Sequence, residues 1–161
     1  MSSITSFFQS GIHALIIWVA FAFHALPTWL TPPHSGGFWH TSGNQILTVD
    51  NKPIRIADIN WYGLETSEAV LGGLDSQDYK VILRSVRANG YNTLRIPFAN
   101  AIVESPVIPE NVRFASPNGS INTDLRNQTS LQILDHVIES AGTLGLKVIL
   151  DNHRSDAGSS G

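Results

Sequence analysis

Gly90-Tyr91-Asn92-Thr93-Leu94-Arg95-Ile96-Pro97 is the stretch on which the fold turns. Immediately before it, Tyr79, Ile82, Leu83 and Val86 fall at i, i+3, i+4 and i+7, the spacing of one buried helix face. Asp75 or Ser76 is placed to cap that helix at its start, and Gly90 to close it at C′. Residues 91–96 then read as a short strand, which Pro97 is expected to stop because it lacks an N–H. A buried strand of this kind should be apolar. The charge of Arg95 needs a partner to offset its desolvation, which makes it a candidate functional residue.

The same unit recurs downstream. Leu131, Leu134, Ile138 and Ala141 form a second helical stripe, capped near Thr129 or Ser130 and ended by Gly145, and residues 146–150 follow as another strand. Upstream, residues 56–61 read as a first strand that runs into the loop from Tyr62 to Ser67. Residues 45–49 and 54–56 read as a β-hairpin around Asp50-Asn51-Lys52. Strand, helix, strand, helix, strand predicts an α/β fold with a parallel sheet covered by helices. The connection from Ala99 to Gln128 is too long for a simple strand-to-helix loop and is expected to be a functional surface or an insertion.

Composition narrows the function. The chain has 161 residues, of which 42% are hydrophobic and 14% charged, enough apolar material for one core. A net charge of -3 provides no basic field for nucleic acid or anionic lipid. The absence of cysteine excludes a disulfide framework, a thiolate metal site and a cysteine nucleophile. The histidines share no metal-ligand spacing, and Gly72-Gly73 lacks the layout of a phosphate-binding loop, so neither a metal nor a cofactor is expected.

The N-terminus speaks to destination. Residues 14–23 are an unbroken apolar run, long enough for a signal-peptide core but short of the roughly 20 residues of a spanning helix. Ala20 and Ala22 offer a cleavage site, and Pro27, Pro32 and Pro33 break any helix that follows. The expected organisation is a signal peptide over residues 1–25, a Pro/Gly-containing linker over 26–37 and a globular part over 38–161. Asn118-Gly119-Ser120 and Asn127-Gln128-Thr129 are glycosylation tripeptides in an exported chain.

Three polar clusters close the three predicted strands: Asn60-Trp61-Tyr62, Arg95 with Pro97, and Asp151-Asn152-His153-Arg154. In α/β barrels that edge carries the active site. Taken alone, Trp61 and Tyr62 fit either core aromatics or a stacking platform for a pyranose ring, and His153 fits either a structural or a functional role.

Ile59-Asn60-Trp61-Tyr62-Gly63-Leu64-Glu65-Thr66, Gly72-Gly73-Leu74, residues 90–97 and Ile149-Leu150-Asp151-Asn152-His153-Arg154, in this order and spacing, resemble the successive N-terminal blocks of glycoside hydrolase family 5 cellulases. The resemblance implies a (β/α)8 TIM barrel and retaining hydrolysis of β-1,4-glucan. Such a barrel needs about 250 residues and eight strands. The chain is therefore expected to supply an N-terminal hairpin and about three βα units of it. By the same resemblance, Arg95 matches the arginine that holds the nucleophile carboxylate ionised, and His153 matches the histidine that contacts sugar hydroxyls where the bond breaks. Trp61 falls where the family places an aromatic residue beside the substrate; Asn60, Tyr62 and Asp151 complete the substrate-binding candidates. Asp151 and Arg154 are expected to brace the loop. Ser67 and Ala157 stand where relatives carry cysteines, so that cross-link is expected to be absent. The family's acid/base and nucleophile follow the fourth and seventh strands, which leads to the expectation that these 161 residues do not hydrolyse glucan alone. The expected partner is a polysaccharide outside the cell, with no nucleic acid, no stable membrane span and no obligate protein partner. The alternative is a non-catalytic carbohydrate-binding remnant of the same fold.

Overall fold

The computed structural model describes residues 38–158. The signal peptide and linker expected over residues 1–37 lie outside the described residues. The described chain opens with a β-hairpin, β1 (His40–Ser42) and β2 (Gln45–Leu47), paired antiparallel with His40 opposite Leu47. The sequence led us to expect β2 to pair with the residues after it, and it pairs with those before it as well. The turn at Gly43-Asn44, with Gly43 at φ +57°, folds β2 back on the residues before it. The expected return strand, residues 54–56, does not form. The expected turn does close: Thr48 N–H donates to Lys52 O, Ile54 N–H donates to Ile46 O, and Leu47 and Pro53 form an antiparallel bridge between them, although no full strand follows.

β3 (Asp58–Asn60), β4 (Thr93–Ala99) and β7 (Lys147–Arg154) form the predicted parallel sheet, in the order β3-β4-β7. β3 is shorter than expected. β4 runs through Pro97 instead of stopping there. Arg95 accepts from the N–H of Trp61 and Ala99 donates to Leu64, so this parity of β4 faces β3 and the loop after it. Pro97 has the same parity, and the β3 ladder ends at Asn60 opposite Arg95, so its missing donor interrupts no ladder. β7 also outruns its expected end. The cluster from Asp151 to Arg154 belongs to the strand, not to the loop beyond it.

Two helices cover one face. α1 (Tyr79–Ala88) is capped by Asp78, which accepts from the N–H of Lys80, and not by Asp75 or Ser76. It ends where Gly90 adopts φ +89°. α3 (Ser130–Thr143) begins with a capping box in which Thr129 and Gln132 satisfy each other's backbone. Its buried apolar residues are Ile133, Leu134, Val137 and Ala141, with Leu131 and Ile138 only partly buried. These side chains meet Leu83 and Val86 of α1 and Leu94 and Ile96 of β4 in one core.

The long connection carries its own structure: α2 (Asn100–Glu104), a small hairpin of β5 (Ala115–Ser116) and β6 (Gly119–Ser120), and a 3-10 turn over Thr123–Leu125. Asn122 fastens it to α1. This residue is 1% exposed; its side-chain amide donates to the carbonyls of Leu74, Gln77 and Arg113 and accepts from the N–H of Tyr79.

Candidate active site

Parallel register brings the strand ends together. Asn60 lies opposite Arg95, Arg95 lies opposite Ile149, and Asp151 is two residues further along β7. Alternation puts Leu94 and Ile96 into the core under the helices and leaves Arg95 facing the other way. Near its end β7 carries a bulge: Phe98 pairs with Asn152 and Ala99 with Arg154, so His153 is the extra residue. A bulge of this kind re-aims a side chain. Here it leaves the imidazole beside Asp151.

The resulting cluster is closely connected. Arg95 donates through Nη1 to Asn60 Oδ1 at 2.6 Å and through Nη2 to Asp151 Oδ2 at 2.6 Å. His153 Nδ1 lies 2.9 Å from the same Asp151 oxygen and 3.4 Å from Arg95 Nη2. A guanidinium only donates and a carboxylate only accepts. In the neutral imidazole the shorter contact therefore places the proton on Nδ1, donated to Asp151, and leaves Nε2 as an acceptor. The side chains of Arg95, Asp151 and His153 are 35%, 30% and 51% exposed, so the cluster is open to a ligand.

The two aromatic candidates separate. Trp61 is 8% exposed within the core, and its indole N–H donates to the carbonyl of Gly72 at 2.8 Å. This is the core-aromatic alternative of its two readings, and it leaves no face for stacking. Tyr62 is 56% exposed and rests against Gly72, where a Cβ would come within 3.1 Å of the ring. Beside it opens a cleft of about 420 Å³ lined by Ser67, Glu68, Gly73, Asp75 and Asn111 among others. None of those five was singled out as a binding residue from sequence, because their approach to Tyr62 depends on the course of the loop.

Backbone hydrogen bonds tie the loops above the rim to one another. Ser67 N–H donates to Gly158 O, Gly158 N–H to Glu65 O, and Ala101 N–H to Ser155 O. Arg154 lies against Gly158, where an added Cβ would meet its guanidinium at 2.8 Å, and takes no part in the Arg95 cluster. Among the described residues no group of three His, Asp or Glu is arranged to hold a metal.

A parallel sheet with helices on one face and its polar residues gathered at the carboxyl ends of the strands points to a class: part of an α/β barrel, whose functional edge is that rim. The comparisons with known proteins then specify it. The model of the cellulase family (glycosyl hydrolase family 5) matches residues 48–160. An endoglucanase of Paenibacillus polymyxa is 36% identical over 122 residues, covering 76% of this chain and 30% of the relative. The major extracellular endoglucanase of Xanthomonas campestris pv. campestris is 33% identical over 134 residues, 82% of this chain and 27% of the relative. Among solved structures, an endocellulase of Pyrococcus horikoshii in complex with cellotetraose superposes with a TM-score of 0.67 at 31% identity, over 76% of this chain and 32% of that one. The chain belongs to glycosyl hydrolase family 5, and its described residues are part of a (β/α)8 barrel. It spans about a third of the length of the relatives it matches.

Proposed function

We propose that this chain forms the substrate-positioning side of the cleft in a secreted, retaining glycoside hydrolase acting on β-1,4-glucan. The observation that carries the proposal is the Asn60–Arg95–Asp151–His153 cluster at the carboxyl rim. Retaining hydrolysis requires two carboxyl groups about 5 to 5.5 Å apart, one as nucleophile and one as acid/base. In this reading Arg95, held from two sides by Asn60 and Asp151, aims its remaining N–H groups at the nucleophile and keeps it ionised. His153, oriented by Asp151, offers Nε2 to a sugar hydroxyl, and Tyr62 gives the pyranose ring an exposed aromatic face. Support for the substrate comes from the relatives, which are named endoglucanases, and from the cellotetraose bound by the Pyrococcus enzyme. Support for export comes from the apolar run over residues 14–23 and from the extracellular Xanthomonas relative.

The acid/base and nucleophile are proposed to come from strands other than these three. The purified 161-residue chain should then release no reducing sugar from carboxymethylcellulose above a buffer blank, and turnover would overturn that assignment. Within a complete eight-stranded barrel carrying this segment, Arg95→Ala should lower kcat far more than it raises KM. An unchanged rate would reduce the arginine to a structural role.

A further inference from the structure

Two Asn-x-Ser/Thr tripeptides lie outside the rim cluster, and the fold gives them different surroundings. Asn118, Gly119 and Ser120 are all exposed at the turn of the β5–β6 hairpin. That turn is held by Ser116, whose hydroxyl donates to Gly119 O and accepts from the N–H of Asn118. The Ser120 hydroxyl takes no part in it, while the Ser120 backbone pairs with Ala115. With two residues in each strand, the hairpin opens at little cost.

Asn127 is exposed as well, but the two residues after it are committed. Thr129 is the N-cap of α3: its hydroxyl accepts from Gln132 N–H, and its own N–H donates to Gln132 Oε1. Ser130 next to it donates from both N–H and hydroxyl to Val107 O. Gln128 N–H is bonded to Leu125 O. Glycan transfer to such a tripeptide uses the third-position hydroxyl and a bendable backbone. The Asn127 site would have to dismantle a helix cap to provide either.

We propose that Asn118, and not Asn127, is the N-glycan acceptor when this chain enters a glycosylating secretory compartment. The donor is an oligosaccharide carried on a lipid diphosphate. Asn118 Nδ2 forms a bond to the anomeric carbon as the bond from that carbon to the phosphate oxygen breaks. The lipid diphosphate leaves with the electron pair, an amide proton passes to a base, and nothing is oxidised or reduced. The added sugar stands on a hairpin tip, while Phe114 at the hairpin's base keeps its packing against the core.

The inference rests on the export part of the proposed function, and the test separates the two. The full chain is expressed in yeast behind a strong export leader, and the secreted protein is weighed before and after enzymatic deglycosylation. The expected result is one glycan's mass, lost in Asn118→Gln and in Ser120→Ala and retained in Asn127→Gln. Unmodified secreted protein, a glycan that survives Asn118→Gln, or equal occupancy of Asn127 would overturn the assignment. Modification with the added leader but not with the native N-terminus would overturn the export reading and leave Asn118 as the acceptor.

Discussion

Arg95 places its charge on the middle strand, yet about a third of its side chain is exposed. An ion pair at that exposure contributes on the order of 0–1 kcal/mol, so the pair with Asp151 orients more than it stabilises. Arg95→Ala should therefore shift the melting temperature by about 3 °C or less; a much larger loss would show a structural role. Gly63 behaves oppositely. It sits at φ +132°, and a Cβ there would lie 2.1 Å from Val70 O and 2.8 Å from Gly72 N, both backbone atoms that cannot step aside. Gly63→Ala should cost about 2 kcal/mol or more, seen as a lower thermal midpoint, and an unchanged melt would contradict this account of the loop. Arg95 was legible in the sequence because a charge interrupts an apolar strand. Asn122 was not. It stands in an ordinary polar stretch, and its value arises only when residues more than forty positions away bring their backbone groups to it.

At the scale of the element, local chemistry was readable where it acts alone. The start of α3 was legible to within one residue, Thr129 or Ser130, and the capping box with Gln132, which closes within four residues, settles it on Thr129. Replacing it with Ala should lower stability by about 1 kcal/mol in chemical denaturation, and no change would mean that tertiary contacts alone hold the start of α3. The cap of α1 was misplaced because Asp75, Ser76 and Asp78 all have suitable side chains. The tertiary bond from Asn122 N–H to Asp78 favours the last of them. Pro97 was misread because whether its missing donor matters depends on where the neighbouring strand ends. α1 also carries a pH-sensitive contact. Asp124 is partly desolvated, which raises its pKa, but hydrogen bonds from Lys80 and Tyr79 outweigh this and hold it below the usual carboxylate value. The hydrogen bond to Asp124 raises Lys80 despite some desolvation. The carboxylate's contribution is present above its unfolded pKa and lost as pH falls through the lower folded one. The lysine's contribution is present below its unfolded pKa and lost as pH rises through the higher folded one. Asp124→Asn should thus lower the melting temperature at neutral pH, with the difference shrinking as pH falls through the acid range, and a difference that stays constant would contradict the linkage.

At the scale of the whole molecule, the βαβ order and the parallel sheet were legible because two helix periods alternate with apolar strands. The hairpin was legible only in part: the turn at Asp50-Asn51-Lys52 and the Leu47–Pro53 bridge form, but the pairing of β2 with β1 on its other edge carried no signal of its own. β7 stands at one edge of the three-stranded sheet with Ile149 and Leu150 44% and 48% exposed. An apolar groove of about 450 Å³, lined by Leu64, Phe98, Ile102, Val103, Leu131 and Leu134 among others, adjoins Leu150. An open parallel edge beside an apolar groove favours association. The isolated 161-residue chain should sediment above its monomer mass as concentration rises, with Leu150→Lys moving it back toward monomer. A concentration-independent monomer would contradict this reading of the edge.

That the rim of these three strands grips a glucan chain is tested most directly by nuclear magnetic resonance, with cellotetraose titrated into the isotopically labelled chain. Shifts should centre on the amides of Asn60, Tyr62, Arg95, Asp151 and His153 and collapse in Arg95→Ala. Shifts confined to the outer helices α1 and α3, or no shifts up to the solubility of the sugar, would contradict it.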